Sequence, residues 1–234
     1  MKLNTNSNVY TFVYMTIVVI IVAVLLALAN QALKPRQDAN ILLDKQKQIL
    51  GALKVDFSAV DTASTCHSQA DPAEVYYTLV QDTLTYGEAE VYVANLNGAT
   101  KYVLPLSGKG LWGGIGGYLA LDEDKNTIYG VNFNHEGETP GLGAKIVELP
   151  FRESFEGKHI RNAEGQVVSV AVLKAGTRAE GQEQVDAISG ATITSTGVST
   201  MLNEELVNNY KEFLGEIINH KFEIINEEEE EVEL

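Results

Sequence analysis

The stretch AEVYVANLNGATKYVLPL, residues 89–106, contains two β-prone runs that meet at an Asn-Gly pair. The first run, at 89–96, and the second, at 100–106, are rich in β-branched, aromatic and aliphatic residues, which favour strands. Asn and Gly both tolerate the positive φ that the central positions of the tightest hairpin turn require. The stretch therefore predicts a β-hairpin and an antiparallel sheet.

More strands are predicted downstream of this hairpin. GGYLALD at 116–122 and NTIYGVNFN at 126–134 flank the short polar sequence EDK, which indicates a second hairpin. GQVVSVAVLK at 165–174 is another β-branched run, and we expect it to form a strand as well.

Helical patterns lie on both sides of these strands. ANILLDKQKQILGAL at 39–53 has apolar residues at helical spacing, and DPAEVYYTLV at 71–80 opens with Asp-Pro, a favourable helix entry. A last helix is expected to begin near Ser195 or Thr196. Its apolar positions, three or four residues apart, are Val198, Leu202, Leu206, Tyr210, Phe213 and Ile217. The predicted fold class is α+β, a mostly antiparallel sheet flanked by helices.

The N-terminus contains a candidate membrane span. No charged residue occurs between Leu3 and Leu33, and TFVYMTIVVIIVAVLLALA at 11–29 is almost wholly apolar. A helix of about 20 such residues crosses a bilayer, so we expect an uncleaved span at about 9–31. The alternative is a cleaved signal peptide ending at Ala-Leu-Ala, but its apolar core is normally only ~7–15 residues. Because more Lys and Arg follow the span than precede it, the positive-inside rule by itself favours a cytoplasmic C-terminal domain.

Composition divides the chain and excludes several functions. We expect an anchor at 1–33, a helical linker and start of the soluble domain at 34–88, the domain core at 89–222 and an acidic, disordered tail at 223–234.

A net charge of −15 argues against nucleic-acid binding. Cys66 is the single cysteine, interpreted as a neutral thiol, and the scattered histidines do not predict a metal site. We predict no catalytic residue, because the chain has no triad-like spacing of Ser or Thr with His and Asp.

Two glycine-rich loops suggest a binding site. Gly108, Gly110 and Gly113 have G-x-G-x-x-G spacing, but a strand and not a helix follows, which excludes a dinucleotide-binding fold. Such a loop with Trp112 could approach a flat ligand, or could simply be a flexible loop with a buried Trp. NHEGETPGLGAKI at 134–146 predicts a type II turn at Pro140-Gly141, either a plain turn or a shaped cradle.

The stretch QVDAISGATITSTGVSTMLNEEL, residues 184–206, is dense in hydroxyl groups. Ser and Thr before a helix are common N-caps, and helix N-termini also attract phosphate. On this interpretation a phosphate at Thr192 lies one turn before the helix. The three loops together predict a pocket for a flat, phosphate-bearing ligand. The alternative is that the hydroxyls serve only as caps and turns.

DAISGATITS resembles the Asp-x-x-Ser/Thr-Gly-Ala-Thr signature at which a flavin transferase attaches FMN to threonine through a phosphoester. PLSGKGLWGGIGGYLALD and GETPGLGAK resemble the other two signatures of the FMN-binding domain family, as arranged in the NqrC subunits of sodium-translocating NADH:quinone oxidoreductases. The resemblance implies that Thr192 carries the FMN and that the transferase reads Asp186, and it leaves Thr194, Ser195 and Thr196 as the helix cap. The other cofactor-binding residues it implies are Ser189, Gly190, Ala191, Glu138, Thr139, Gly141, Leu142, Gly143, Lys145, Leu111 and Trp112.

The resemblance also implies a setting for the chain. It predicts an electron-transfer subunit that helps to relay electrons from NADH towards quinone, coupled to Na⁺ export, and that is not active alone. The implied partners are membrane subunits B, D, E and the NADH-oxidising F, the flavin transferase and membrane lipid. The implied location is the bacterial inner membrane, with a single span and the domain on the periplasmic side, against the local charge count. Two alternatives stay open: the related RnfG subunit of RNF complexes, which pass electrons between ferredoxin and NAD, and a non-redox membrane-anchored binding module.

Overall fold

A computed structural model of the chain describes residues 8–55, 71–87, 89–174 and 176–215. The chain divides into two compact units, Met1–Lys45 and Gln46–Leu234. The expectations for Cys66, Ile217 and the acidic tail lie outside the described residues.

Helix α1 spans Asn8–Ala52 and contains the predicted membrane span. It is long and apolar enough to cross a membrane. The helix predicted at 39–53 is not a separate element, because α1 continues through Pro35. A proline removes one backbone hydrogen bond from a helix, and the helix is retained on both sides of it.

Helix α2, Pro72–Leu79, is the short helix predicted from Asp-Pro. Its first turn is capped by Asp71, whose side chain accepts a hydrogen bond from the Ala73 N–H at 3.1 Å. Strand β1, Val80–Tyr86, follows directly and was not predicted. Most of its side chains are polar and exposed, so its strand character depends on antiparallel pairing with the next strand.

The sheet is an antiparallel meander in the order β1-β2-β3-β4-β5. The other four strands are β2 (Ala89–Leu96), β3 (Ala99–Lys109), β4 (Gly114–Leu121) and β5 (Ile128–His135). Both predicted hairpins are confirmed. In the first turn, Asn97 and Gly98 have φ values of 54° and 87°, as the tight turn inferred from Asn-Gly requires.

The segment after β5 is mostly irregular. A 3₁₀ turn, Gly143–Val147, and a short helix α3, Leu149–Glu153, precede two short parallel strands, β6 (Ala171–Val172) and β7 (Gln184–Val185). The strand predicted over 165–174 is therefore wrong except at β6. Ser169 has a φ of 64°, and the N–H groups of Val168 and Ser169 both donate to the Ile160 carbonyl. This local fold interrupts the extended backbone of a strand.

The last helix, α4, spans Thr192–Glu204 and continues through a wider turn at Glu205–Asn209. The apolar positions predicted for it are buried as far as Phe213. They pack on one face of the sheet with Val91, Leu104 and Leu119. The opposite face packs against Ile49, Leu50 and Leu53 through Tyr92, Val103 and Ala120. The α+β prediction, a mostly antiparallel sheet flanked by helices, is confirmed.

Candidate functional site

The three sequence loops meet at one buried carboxylate, that of Glu138. Its Oε1 accepts hydrogen bonds from the backbone N–H groups of Leu111 at 2.7 Å and Trp112 at 3.0 Å. Its Oε2 accepts one from the Thr194 hydroxyl at 2.6 Å. The glycine loop after β3, the loop after β5 and the first turn of α4 are thereby joined.

The Glu138 carboxyl group is ionised within the protein interior. Glu138 is only 4% exposed, and burial alone raises the pKa of a carboxyl group. Hydrogen bonds from Thr194 and from the N–H groups of Trp112 and Leu111 outweigh burial and, with the nearby His135, hold the pKa of Glu138 below its ordinary value. A fixed negative charge therefore lies at the junction of the loops.

Two glycines make room for this carboxylate. A Cβ atom on Gly110 would lie 2.4 Å from Glu138 Oε1, and one on Gly143 would lie 2.2 Å from Oε2. Both distances are shorter than a nonbonded contact allows. The approach of the Glu138 side chain thus explains why glycine occupies positions 110 and 143.

The turn predicted in the second loop is present. The Leu142 N–H donates to the Thr139 carbonyl at 3.1 Å, and Gly141 has a φ of 76°, as a type II turn requires. A Cβ atom on Gly190 would lie 2.9 Å from Leu142 Cδ2. The Leu142 side chain therefore contacts the Ser189-Gly190 turn that precedes α4.

Thr192 is the first residue of α4 and is exposed. The helix thus starts three or four residues earlier than predicted, with Ala191 at the N-cap and no side-chain cap. The interpretation of Thr194, Ser195 and Thr196 as caps is wrong. Thr194 donates to Glu138, Ser195 Oγ accepts from the Ile188 N–H at 3.2 Å, and Thr196 donates to the Thr192 carbonyl at 2.9 Å. The Thr196 bond is the local i to i−4 bond of a helical threonine, whereas the Thr194 bond joins residues 56 positions apart, which sequence spacing does not reveal.

An open groove of about 690 Å³ lies between α4 and the end of β3. Its lining includes Thr192, Ile193, Lys109 and Gly110. Small-molecule sites typically occupy about 300–1,000 Å³, so the groove has the size of a ligand site. Lys109 and Glu204 contribute one positive and one negative charge to it.

Large apolar side chains are exposed on the same three loops. Trp112 is 69% exposed, which contradicts the alternative of a buried Trp anchor, and Ile193 is 59% exposed. Leu111 and Leu142 are 45% and 42% exposed. Of these four side chains Ile193 lines the groove, and clusters of exposed apolar side chains often mark binding sites.

Not every residue of the predicted site joins this cluster. Asp186 is exposed, and its carboxylate accepts the Ala179 N–H at 2.7 Å. Lys145 is half-buried in the 3₁₀ turn, Thr139 is exposed and Ala191 is buried. Sequence reasoning did not predict that Lys109 and Ile193 line the groove, or that Thr194 bonds Glu138. Only the position of Thr194, two residues after Thr192, could have drawn attention to it.

The fold and the site define an FMN-binding domain, since the family model for that domain matches residues 110–207 and so includes all three loops. The Na⁺-translocating NADH-quinone reductase C subunit (NqrC) of Haemophilus ducreyi is 30% identical, with 84% of this chain and 89% of that protein aligned. The same component of the Pseudomonas aeruginosa reductase is also 30% identical, over 86% and 92% of the two chains. The chain therefore belongs to the NqrC family of Na⁺-translocating NADH-quinone reductases.

Solved structures agree with this assignment. The crystal structure of NqrC from Parabacteroides distasonis is 38% identical, with a TM-score of 0.68, and the match covers 78% of this chain and 96% of that one. NqrC from Shewanella oneidensis is 24% identical with a TM-score of 0.55, covering 74% and 96%, and supports the fold alone.

Proposed function

We propose that this chain is a membrane-anchored flavoprotein subunit that transfers electrons in a Na⁺-translocating NADH-quinone reductase and carries FMN on Thr192. The observation that carries the proposal is the state of the hydroxyl groups at the start of α4. Thr192 is exposed in the groove, whereas Thr194 and Ser195 are buried and engaged. Thr192 is therefore available to a modifying enzyme.

The start of α4 suits the phosphate of FMN. The first intrahelical donor is the N–H of Ser195, which bonds the Ala191 carbonyl at 2.9 Å. The N–H groups before it have no intrahelical acceptor in an α-helix, and Ala191 provides no side-chain cap. Together with the helix dipole, they favour an anion bonded to the first residue. Ser189, Gly190 and Ala191 form the turn that presents Thr192.

The exposed side chains suit the remainder of FMN. Trp112, Leu111 and Leu142 offer apolar surfaces for a flat ring. From the family resemblance we add Thr139, Gly141, Gly143 and Lys145 of the second loop to the proposed binding surface. When bound, FMN supplies the redox chemistry, and the protein supplies its position and electrostatic environment.

The family membership supports a place within the larger complex. The relatives are named as subunits of a Na⁺-translocating NADH-quinone reductase. We infer that this chain exchanges electrons with cofactors of subunits B, D, E or F, in a relay from NADH to quinone coupled to Na⁺ export. We also infer a single span in the inner membrane, a periplasmic domain over 89–222 and modification by a flavin transferase that reads Asp186.

The attachment site can be tested in the full chain co-expressed with a flavin transferase. We expect a flavin-fluorescent band that survives denaturing electrophoresis. The tryptic peptide of residues 179–211 should be heavier by FMN less water, with the added mass on Thr192. Thr192→Ala should lose the band and remain folded, because an exposed hydroxyl contributes little to stability.

Ser199→Ala is the matched control for this experiment. Ser199 lies in the same helix and peptide, but its hydroxyl accepts the Val172 N–H at 3.3 Å and is not in the groove. This variant should keep the flavin. Covalent flavin on Thr192→Ala, or added mass on Thr194 in the natural sequence, contradicts the assignment. Co-purification with ferredoxin-linked partners in place of NADH-quinone reductase subunits favours the RNF alternative.

A further inference from the structure

Glu138 connects parts of the chain that are far apart in the sequence. Its partners Leu111 and Thr194 lie 27 residues before it and 56 residues after it. One carboxylate oxygen is used for the glycine loop and the other for α4. The hydrogen bonds therefore set the distance between the Leu111-Trp112 backbone and the first turn of α4.

A buried carboxylate is costly unless several hydrogen bonds compensate for its lost hydration. At Glu138 two backbone N–H groups and one hydroxyl, all from the other two loops of the site, donate these hydrogen bonds. Gly110 and Gly143 leave the space that the carboxylate needs on both sides. Three hydrogen-bond donors and two glycines thus surround one side chain that is almost inaccessible to a ligand.

The hydrogen bond between Thr194 and Glu138 also distinguishes Thr194 from the neighbouring Thr192. Thr194 is 1% exposed, and its hydroxyl donates to Glu138. Thr192 is two residues away in the helix and is exposed. Burial and hydrogen bonding remove Thr194 as a competing acceptor and leave Thr192 accessible.

We propose that Glu138 is a positioning residue, which fixes the Leu111-Trp112 backbone against α4 and withholds the Thr194 hydroxyl, so that flavin is attached at Thr192 and its ring meets a preformed surface. This role rests on the proposed function. Glu138 acts through Leu111, Trp112 and Thr194. Both of its carboxylate oxygens are already hydrogen-bonded and buried, so they do not contact the flavin.

The first test uses protein without flavin and measures amide hydrogen exchange at Leu111 and Trp112 in the full chain in detergent. In Glu138→Ala both amides lose their acceptor, and we expect exchange at least about tenfold faster, since hydrogen bonds to charged groups are among the stronger ones. Glu138→Gln keeps a carbonyl oxygen for these N–H groups, and its exchange should stay close to that of the natural chain. Unchanged exchange at both amides in Glu138→Ala overturns the proposal.

Glu136→Ala is the matched control. Glu136 belongs to the same loop and also accepts a backbone N–H, that of Gly114 at 3.1 Å, but it is exposed. Its removal should leave exchange at Leu111 and Trp112 unaltered. Thr194→Val, which deletes one bond to Glu138 and keeps the shape of the side chain, provides a milder variant if Glu138→Ala does not fold. It should accelerate the same two amides, and its failure to do so also counts against the proposal.

The second test measures flavin attachment after co-expression with the transferase. Glu138→Ala should carry less flavin on Thr192, with a shifted flavin absorption band in the fraction that is loaded, and Glu138→Gln should restore both. A Glu138→Gln protein as defective as Glu138→Ala overturns the positioning role, because the carboxamide retains the shape. If the natural chain itself carries no flavin on Thr192, the proposed function fails, while the exchange result still decides whether Glu138 holds the loops.

Discussion

Thr192 and Thr194 have the same side chain but different surroundings, because Thr194 is buried against Glu138 and Thr192 is not. The two threonines are two residues apart in α4, yet one is exposed in a groove and the other is bonded to a buried carboxylate. A hydroxyl used as a buried donor is unavailable for modification, and an exposed one at a helix N-terminus is accessible to an enzyme. This contrast is the reason that we propose attachment at Thr192 and a positioning role for Thr194 and Glu138.

The ionised state of Glu138 predicts a pH dependence of stability. Because its pKa is lowered in the folded protein, Glu138 contributes stability that is fully present above the unfolded pKa of about 4.3 and is lost as pH falls through the folded pKa. Glu138→Gln lacks this titration. In urea unfolding, we expect the natural chain to lose stability relative to Glu138→Gln as pH falls from about 5 to 3.

His135 is present in both proteins, so its contribution to stability cancels to a first approximation in this comparison. A difference in unfolding free energy between the two proteins that stays constant down to about pH 3 would contradict an ionised, stabilising Glu138. Glu136→Gln, at an exposed carboxylate of the same loop, should show a much smaller change over the same range.

At the scale of elements, the groove depends on how closely α4 approaches β3. Gly197 lies at the contact, where a Cβ atom would be 2.5 Å from the Lys109 carbonyl oxygen. Gly108 on β3 is equally close to α4, since a Cβ atom there would be 2.6 Å from Met201 Cβ. Glycine on both surfaces allows the helix backbone and the strand backbone to approach each other beside Thr192.

Gly197→Ala tests this packing. Replacing a helix-interior glycine by alanine normally stabilises a protein by up to about 1 kcal/mol. Here the added methyl group meets backbone, so we expect a net loss of about 1–3 kcal/mol in the free energy of unfolding. Gly215→Ala is the matched control, since its Cβ would meet nothing within 4 Å. Equal effects of the two substitutions would show that α4 does not need the close approach.

At the scale of the whole molecule, α1 has two kinds of surface. Its side chains over the apolar span are exposed to the surroundings, as a bilayer-spanning segment requires. Its last two turns belong to the second unit, where Ile49, Leu50 and Ala52 pack on the sheet against Tyr92 and Val103. The end of the anchor helix is therefore part of the domain core.

Two truncations test this division. A chain beginning at Gln46 keeps the packed end of α1, and we expect a folded, water-soluble domain with a cooperative thermal transition. A chain beginning at Val55 loses Ile49, Leu50 and Leu53, each worth about 1.5–3 kcal/mol of burial. We expect that second chain to be unfolded or aggregated, as judged by circular dichroism. Equal thermal stability of the two would contradict the packing role of residues 46–54.

The features that could be predicted from the sequence are those that depend on neighbouring residues or on periodicity. The apolar run, the helix entry at Asp71-Pro72, the turn at Asn97 and Gly98 and the buried spacing along α4 were all predicted, because each follows from local backbone preference or from one face of one element. These features were sufficient for the α+β class. Local signatures were also sufficient to name the three loops.

What those loops do together became evident only in the folded chain. Thr194, Ser195 and Thr196 matched a helix cap in sequence, but their hydrogen bonds go to Glu138, Ile188 and Thr192. Strand β1 depends on its partner β2, and the backbone at Ser169 ends a strand that composition favoured. The physical reason is the separation, along the sequence, of the groups that bond each other. A hydrogen bond between groups 56 residues apart has no local signature, so only tertiary folding brings Glu138 to Thr194 and leaves Thr192 exposed.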